Sequence, residues 1–466
     1  MKLGGDPGPG PKCLQAGRKL PKRAKATSRH PLGAMEPEKS MQNGGSPSIA
    51  PGRPVRWAIF GTGPVARKFV LGLRPLGHTA VVVCVASRQP ANAQAFARSL
   101  GLPQAAPDYA AAAASDVDAV YIATPPFEHE AHALLAIAAG KAVLIEKPFA
   151  MDAAAARRIA QAAQMAGVFC MEAMWTRFLP LIGQIKDRIA AGEIGEVRSL
   201  QGSFCVANDL DPMAGLFDPL RGGGALMHRG VYPLSLARHL LGPVLATQAT
   251  ARLGQTGVDE DCALTLRHAS GAVSSLQASL RSAGTNDLAI HGTRGSLVIA
   301  APIYRPWTAR LIRTRPRPPR ASQPGQLGQL SQSGQLSQSG QVSQSDQGPK
   351  AGRFETFFEG SLAQGLNQRL SRLLPWVLPG SRRVTARYQG NGYHYQAQAL
   401  MQAIAQGQTQ SPVMPLDESI QIMAIIDAAR AQWGNGPAPE AVLPHEGPPT
   451  CQTACQTICQ TTWQTI

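Results

Sequence analysis

Between residues 55 and 166 the sequence alternates short apolar runs with segments of helical character. The apolar runs cover 55–60, 79–87, 118–124 and 142–146, and the helical segments include 91–100, 128–139 and 151–166. Short, β-branched apolar runs predict strands that are buried on both faces. Their alternation with helices at this spacing predicts βαβ units. We therefore expect an α/β domain of the Rossmann type, a doubly wound parallel sheet, at residues 55–180.

The pattern changes after about residue 195. Five strand candidates follow one another with short turns, at 197–207, 244–253, 262–267, 272–280 and 287–292. Two amphipathic segments, 391–407 and 416–433, have helical periodicity. This succession predicts a second, α+β domain at 181–433, built on a largely antiparallel open sheet.

Three segments are biased in composition. Residues 1–54 contain ten Lys and Arg against three Asp and Glu, and residues 305–353 contain eight against one, so each has a net charge of +7 out of +16 in the chain. The insertion at 313–350 includes a six-residue Gln/Ser repeat, and the tail at 434–466 includes a four-residue Cys-Gln-Thr repeat. We expect these segments to be flexible and to bind no metal, and we expect no specific nucleic-acid partner.

The eight cysteines show no C-x-x-C spacing, which suits a reducing compartment. The first 30 residues are basic but lack an apolar core, so we expect no secretory signal. No run approaches 18 uninterrupted apolar residues, so we expect no membrane span. These features predict a cytoplasmic protein.

A glycine motif joins the first strand to the following helix. It consists of Gly61, Thr62, Gly63, Pro64, Val65 and Ala66. Glycine allows a tight turn and a close approach of a pyrophosphate, and a small third residue lets the helix pack on the strand. Alone this motif also fits an ordinary glycine turn, but its place between a strand and a helix favours dinucleotide binding.

The end of the second strand indicates which dinucleotide is bound. A site for NAD needs an acidic side chain there for the ribose 2′-hydroxyl, whereas this sequence has Ser87 and Arg88. A guanidinium suits a 2′-phosphate. We therefore expect NADP in preference to NAD, with a solvated loop arginine as the alternative.

Glu146, Lys147 and Pro148 lie where the strand at 142–146 ends. The carboxyl ends of strands are where open α/β sheets bind ligands. A lysine there can hydrogen-bond a hydroxyl or carbonyl group that is being oxidised or reduced. An ordinary surface lysine is the alternative.

Several ordered motifs resemble the Gfo/Idh/MocA oxidoreductases (the glucose–fructose oxidoreductase and inositol dehydrogenase family). They are Thr124-Pro125 followed by His129, then Gly140-Lys141, Glu146-Lys147-Pro148, residues 171–180, residues 222–232, residues 390–394 and residues 411–417. Residues 171–180 are similar to the branch that contains dimeric dihydrodiol dehydrogenase and NADP-dependent D-xylose dehydrogenase.

The resemblance implies roles for individual residues. Lys147 would assist proton transfer beside the nicotinamide, and Tyr232 would be the general acid/base, with its pKa lowered by Lys147. His228 stands where the family usually has Asp, and would either bind a substrate hydroxyl or pack against its helix. The resemblance also places further residues at the cofactor or the cleft: Thr124, Pro125, His129 and Glu146 beside the cofactor, and Trp175, Arg177 and Phe178 beside the substrate, with core packing as the alternative for the aromatic side chains.

These observations predict an NADP-dependent enzyme that transfers a hydride to or from a small polyhydroxylated or carbonyl substrate, of the sugar or dihydrodiol type. We expect it to form a homo-oligomer through the sheet of the second domain. A non-catalytic dinucleotide-binding regulator of the same fold is the alternative, because His228 departs from the family pattern and the tails are long. A third hypothesis is a protein that associates with polyanions through its basic tails.

Overall fold

A six-stranded parallel sheet begins the part of the chain that the structure describes. The structure is a computed structural model that describes residues 53–314 and 381–433. The strand order is β3-β2-β1-β4-β5-β6, and every neighbouring pair is parallel. The strands are β1 (Val55–Phe60), β2 (Ala80–Ala86), β3 (Gln104–Ala105), β4 (Ala119–Ile122), β5 (Ala142–Glu146) and β6 (Cys170–Ala173).

Five helices connect these strands, and local signals fix their ends. They are α1 (Pro64–Gly72), α2 (Pro90–Leu100), α3 (Tyr109–Ala114), α4 (His129–Ala138) and α5 (Ala153–Ala166). Asp108 and Asp152 cap α3 and α5, because each carboxylate accepts from a main-chain N–H of the first turn. Gly101 and Gly167 end α2 and α5 in the left-handed conformation. The Rossmann fold that the alternation predicts is confirmed.

The core of this sheet is aromatic. The Phe69 ring of α1 stacks on Tyr121 of β4 with 3.6 Å between ring centroids, and it meets Trp57 of β1 edge-on at 5.3 Å. All three side chains are fully buried. Burial of such large side chains holds α1, and therefore the glycine motif before it, against the sheet.

An eight-stranded mixed sheet forms the second half. Its order is β14-β13-β12-β11-β7-β10-β9-β8, and all neighbours are antiparallel except β7 and β10. The strands are β7 (Val197–Cys205), β8 (Val244–Leu253), β9 (Asp259–His268), β10 (Val273–Ser279), β11 (Leu288–Gly292), β12 (Gly295–Ile299), β13 (Thr308–Arg313) and β14 (Ser381–Thr385). The largely antiparallel sheet is confirmed, and β12 to β14 extend it beyond the predicted strands.

Four helices and one π-helical turn accompany the second sheet. They are α6 (Pro180–Ala190), the π-helical turn Leu226–Gly230, α7 (Val231–Leu241), α8 (His394–Ala405) and α9 (Leu416–Trp433). α9 packs on β8 and α7 and also on α5 and β6 of the first sheet. The two sheets are thus joined by a helix from the end of the described chain.

Some predictions concern residues outside the described ranges. These are the predictions for the N-terminal segment up to 52, for nearly all of the insertion at 313–350, and for the tail from 434. Within the described ranges, no helix combines the length and apolar character needed to cross a bilayer.

Candidate active site

A cleft of about 410 Å³ opens at the carboxyl ends of β1, β2 and β4. Its lining includes the glycine motif and residues from three strand ends, namely Gly61, Thr62, Gly63, Pro64, Val65, Ser87, Arg88, Gln89, Asn92, Tyr109, Ala123, Thr124, Pro125 and Glu128. The structure therefore brings together most of the predicted cofactor-binding residues. Ala66 is fully buried behind them in α1.

The glycine motif fits a pyrophosphate. Gly61 has φ +104°, and a Cβ atom there would lie 2.6 Å from the carbonyl oxygen of Ala123, so a larger residue is excluded. Gly63 precedes α1 without any side-chain cap. The N–H groups of a helix's first turn lack intrahelical partners, and the helix dipole favours an anion there. The residues present thus fit the phosphates of a dinucleotide.

Arg88 and Ser87 lie at the end of the cleft that β2 forms. Arg88 is 74% exposed, while Ser87 is buried. Sequence reasoning missed Glu128, whose carboxylate lines the same cleft 4.0 Å from the Arg88 guanidinium. Glu128 follows β4 rather than β2, so a search for an acid at the end of the second strand could not find it.

Thr124 and Pro125 line the cleft, whereas His129 lies behind it. Both ring nitrogens of His129 are 2.9 Å from main-chain oxygens, those of Thr124 and Pro148. Burial lowers the pKa of His129 to about 4, so its neutral ring donates to one of them at a time. His129 thus connects the loops after β4 and β5 and positions the cleft rather than lining it.

Glu146 ends β5 and is buried. Its carboxylate accepts a hydrogen bond from the Tyr121 hydroxyl and one of 3.2 Å from the Lys147 main-chain N–H. Burial raises the pKa of Glu146, against the lowering effect of these donors. Glu146 is therefore held in a buried position at the carboxyl end of β5, directly before Lys147.

Lys147 brings the two halves of the molecule together. Its Nζ donates a 3.0 Å hydrogen bond to the main-chain oxygen of His228 and lies 5.0 Å from the ring centroid of Tyr232. Burial lowers the pKa of the Lys147 ammonium, although the nearby Glu146 and Glu172 carboxylates oppose this. Lys147 and Tyr232, the two residues predicted for proton transfer, thus lie together, and the main-chain oxygen of His228 lies beside them.

The π-helical turn limits the main-chain donors that can reach the His228 oxygen. A π-helix pairs each carbonyl with the N–H five residues later, as the Val231 N–H does with the Leu226 oxygen. For His228 that residue is Pro233, which has no N–H. The Lys147 ammonium donates a hydrogen bond to this oxygen. Sequence reasoning expected an ordinary helix here and missed this turn.

Tyr232 is protonated at neutral pH. Burial raises the pKa of its hydroxyl well above the ordinary value of 10, and the Glu146 carboxylate raises it further. The pKa of Tyr232 is therefore raised, whereas we expected Lys147 to lower it, because desolvation of the phenolate is the largest effect on this group.

His228 is neutral. Burial lowers the pKa of its imidazole to about 3, and the Lys147 and Arg229 charges act in the same direction. Its Nε2 is buried and has no hydrogen-bond partner among the described residues. A neutral imidazole with one unpartnered nitrogen can hydrogen-bond a substrate oxygen, but it cannot supply the fixed charge of an aspartate.

An aromatic cluster surrounds Tyr232. Trp175 donates from Nε1 to the Tyr232 hydroxyl at 3.4 Å and stacks on Tyr393 with 4.7 Å between centroids. Phe204 meets the Tyr232 ring edge-on at 5.4 Å and stacks on Tyr304 at 5.0 Å. Trp175, which the resemblance placed beside the substrate, thus contacts a candidate catalytic group. Phe204 and Tyr304 carried no local sequence signal, whereas Tyr393 lies in the motif at residues 390–394 but was not singled out as a site residue.

Arg177 and Phe178 lie elsewhere in the packing. Arg177 is buried, and its guanidinium donates to Ser235 Oγ and O, to Val413 O and, at 2.6 Å, to the Glu418 carboxylate. These bonds join the 3₁₀ turn Trp175–Phe178 to α7, to α9 and to the segment before α9. We therefore reassign Arg177 from substrate binding to a structural role. Phe178 is half-buried against the core.

The arrangement defines a class of protein. A cleft suited to a dinucleotide lies at the carboxyl ends of β1, β2 and β4. Lys147 and the protonated Tyr232 lie together beside the carboxyl end of the neighbouring strand, β5. These features together are typical of a dinucleotide-dependent oxidoreductase. Among the described residues, no group of three or more His, Cys, Asp or Glu could hold a metal ion.

Comparison with known proteins identifies the family. Residues 55–174 match the oxidoreductase family with an NAD-binding Rossmann fold, and residues 182–298 match the GFO/IDH/MocA C-terminal domain. The trans-1,2-dihydrobenzene-1,2-diol dehydrogenase of Sus scrofa is 32% identical over 276 residues, which cover 58% of this chain and 82% of that protein. The chain belongs to the Gfo/Idh/MocA family and is an NAD(P)-dependent dehydrogenase or reductase acting on CH–OH groups.

Two solved structures share the fold. A 3-ketoreductase from Actinomadura kijaniata, in complex with NADP and TDP-benzene, has a TM-score of 0.60 at 22% identity and covers 81% of this chain and 97% of its own. An aldose-aldose oxidoreductase from Caulobacter crescentus, complexed with glycerol, has a TM-score of 0.62 at 20% identity and covers 82% and 98%.

Proposed function

We propose that this protein is an NADP-preferring oxidoreductase that interconverts a secondary alcohol and a carbonyl on a small ring-shaped substrate, of the dihydrodiol or sugar type. The observation that carries the proposal is the convergence of Lys147, His228 and Tyr232, with Lys147 Nζ 3.0 Å from the His228 oxygen and 5.0 Å from the Tyr232 ring centroid. A protein that only senses dinucleotides does not need this arrangement.

The residues divide the chemistry between them. The nicotinamide, when bound, supplies or accepts the hydride. Tyr232 holds a proton on its hydroxyl and donates it to the substrate oxygen during reduction. The Lys147 ammonium, above the ring, stabilises the phenolate that remains. His228 Nε2 orients a second oxygen of the substrate.

The aromatic cluster favours a flat or ring-shaped substrate. Trp175, Phe204, Tyr304 and Tyr393 surround Tyr232, and rings of this kind pack well against the apolar face of a cyclic diol or a sugar. The dihydrodiol dehydrogenase relatives and the aldose-aldose oxidoreductase neighbour support these two substrate classes.

The preference for NADP rests on Arg88 in the cofactor cleft, and the NADP-bound neighbour supports it. Fluorescence titration with NADPH and NADH tests the preference, and we expect Arg88→Ala to reduce it. A screen of NADP⁺ reduction with trans-dihydrodiols and sugars tests the reaction. Tight dinucleotide binding without turnover of any substrate would support the non-catalytic alternative.

We also propose a homo-oligomer formed through the second sheet and a cytoplasmic location. One face of that sheet exposes a row of small polar side chains, namely Gln201, Thr265, Ser275 and Gln277, while α7 packs against β7 and β10. Light scattering of the wild type and of Gln277→Arg tests the oligomer. The described cysteines are free thiols, as is usual in a reducing compartment.

A further inference from the structure

A carboxylate shares the cofactor cleft with the arginine expected to bind the 2′-phosphate. Glu128 Oε1 lies 4.0 Å from Arg88 Nη1, and both side chains line the cleft. Arg88 is 74% exposed and Glu128 20% exposed. The guanidinium is therefore free to turn towards a ligand, whereas the carboxylate is more firmly held.

Glu128 is held in place by local structure. It ends the short 3₁₀ helix Pro126–Glu128 and directly precedes α4, and its main-chain N–H donates to the Pro125 oxygen at 2.9 Å. The hydroxyl of Tyr109 shares this space: burial raises the pKa of Tyr109, and the Glu128 charge raises it further. The carboxylate thus acts on groups within the cleft.

We propose that Glu128 is a specificity-determining residue that weakens the discrimination of this site between NADP and NAD. The inference rests on the proposed function, because it requires a dinucleotide whose adenosine ribose lies at Arg88.

Competition for Arg88 and repulsion by Glu128 both act against a bound 2′-phosphate. A 2′-phosphate must take Arg88 away from Glu128 and must then lie near a carboxylate of the same sign, which opposes its binding. The 2′-hydroxyl of NAD carries no charge and can donate a hydrogen bond to a carboxylate. Glu128 therefore opposes the binding of NADP but not that of NAD. It follows β4, whereas an acid that binds the ribose of NAD is usually found at the end of the second strand.

The test is titration of the full chain with NADPH and NADH at low ionic strength. We expect Glu128→Gln to tighten NADPH binding by roughly threefold to tenfold, as removal of a partly exposed like charge permits. NADH binding should stay unchanged or weaken. The gain should shrink in an Arg88→Ala background and as salt is raised.

Glu130→Gln is the matched control. It removes the same charge two residues further on, where Glu130 pairs with Arg158 rather than facing the cleft. It should leave both cofactor affinities unchanged. Equal effects of Glu128→Gln on NADPH and NADH, or no effect on either, would overturn the proposal and leave Glu128 with a role at the start of α4 only.

A second variant keeps the test decisive if Glu128→Gln folds poorly. Glu128→Asp retains a negative charge before the first turn of α4 but withdraws it from Arg88, so it should tighten NADPH binding by a smaller factor, and an unchanged preference would count against the proposal. If the unmodified chain binds neither NADPH nor NADH, the proposed function fails, which is distinct from failure of this inference.

Discussion

The ammonium of Lys147 lies over the ring of Tyr232, with Nζ 5.0 Å from the ring centroid. The two residues are 85 positions apart in the sequence. Lys147 directly follows β5 of the first sheet, and Tyr232 lies in α7, which packs on the second sheet. Their contact joins the cofactor-binding half of the chain to the second half at the point where the chemistry is expected.

Loss of either group should slow the reaction without loosening the cofactor. We expect Tyr232→Phe and Lys147→Met each to lower kcat by about two to four orders of magnitude, the range for general acid–base groups. The double variant should be hardly slower than the poorer single one, because the groups act as a unit. Steady-state kinetics and NADPH titration check this. Near-normal turnover in both single variants would move the assignment to the non-catalytic alternative.

The pH profile should show an alkaline limb from Lys147. Burial lowers the pKa of this ammonium from 10.5, so activity should fall as pH rises through a value below 10.5, while the raised pKa of Tyr232 keeps its phenol protonated. Lys147→Arg should retain some activity and move this limb upwards, since a guanidinium does not titrate in this range. The measurement is kcat/KM for carbonyl reduction against pH. A limb that stays in place would belong to another group.

His228→Asp should retain activity and alter substrate preference. The main-chain oxygen that accepts from Lys147 is unchanged by this substitution, whereas the side chain gains a negative charge in place of a neutral ring. The ratio of kcat/KM for a sugar and for a dihydrodiol measures the change. Loss of turnover with both substrates would show that the imidazole itself is required.

Glu172 should make the protein less stable as the pH rises. Its carboxyl group is buried, accepts from Ser419 at 2.8 Å through one oxygen, and has a pKa raised by burial to about 7. The native state therefore binds this proton more tightly than the unfolded chain, and the stability it contributes below pH 4.5 is lost as pH rises through 7.

Glu172→Gln mimics the protonated form and removes this dependence. The free energy of unfolding of Glu172→Gln relative to the wild type should increase by roughly 2 to 3 kcal/mol between pH 5 and pH 8. Urea unfolding at both pH values measures it, with Glu130→Gln as the exposed control. A difference independent of pH would mean that Glu172 titrates normally.

Arg177 should matter for stability rather than for turnover. Arg177→Met removes the 2.6 Å partner of the Glu418 carboxylate and leaves it with Arg238 at 3.3 Å. We therefore expect a cost towards the lower end of the range of about 3–5 kcal/mol for breaking a buried ion pair. Arg158→Met, at an exposed pair with Glu130, should cost less than about 1 kcal/mol. Thermal unfolding compares them. A fall in kcat at unchanged stability would restore Arg177 to the substrate site.

The sequence predicted the parts of the site that depend on neighbouring residues. The glycine motif and Lys147 each follow an apolar strand, so their position at the edge of a parallel sheet follows from the chain itself. Glu128, Phe204 and Tyr304 enter the site from separate segments, and only the packing of those segments brings them there. No local pattern distinguishes them from ordinary loop or strand residues.

Arg177 and the π-helical turn are two further features that could not be predicted from the sequence. The acceptors of Arg177 lie at residues 235, 413 and 418, so its burial is a long-range property that its neighbours do not indicate. The segment 222–232 reads as a helix preceded by glycines. The extra residue of the turn becomes visible only through the hydrogen bond from Val231 to Leu226.

The bonds between Arg177 and α9 have a consequence for how the protein is made. A ribosome synthesises residues 413 and 418 more than 200 positions after Arg177, and Ser419 reaches Glu172 over a separation of 247. Until then Arg177 lacks its acceptors at Val413 and Glu418, and Glu172 lacks the donor at Ser419. The first sheet can therefore form early during translation, but the region around β6 closes only when the last described helix has left the exit tunnel.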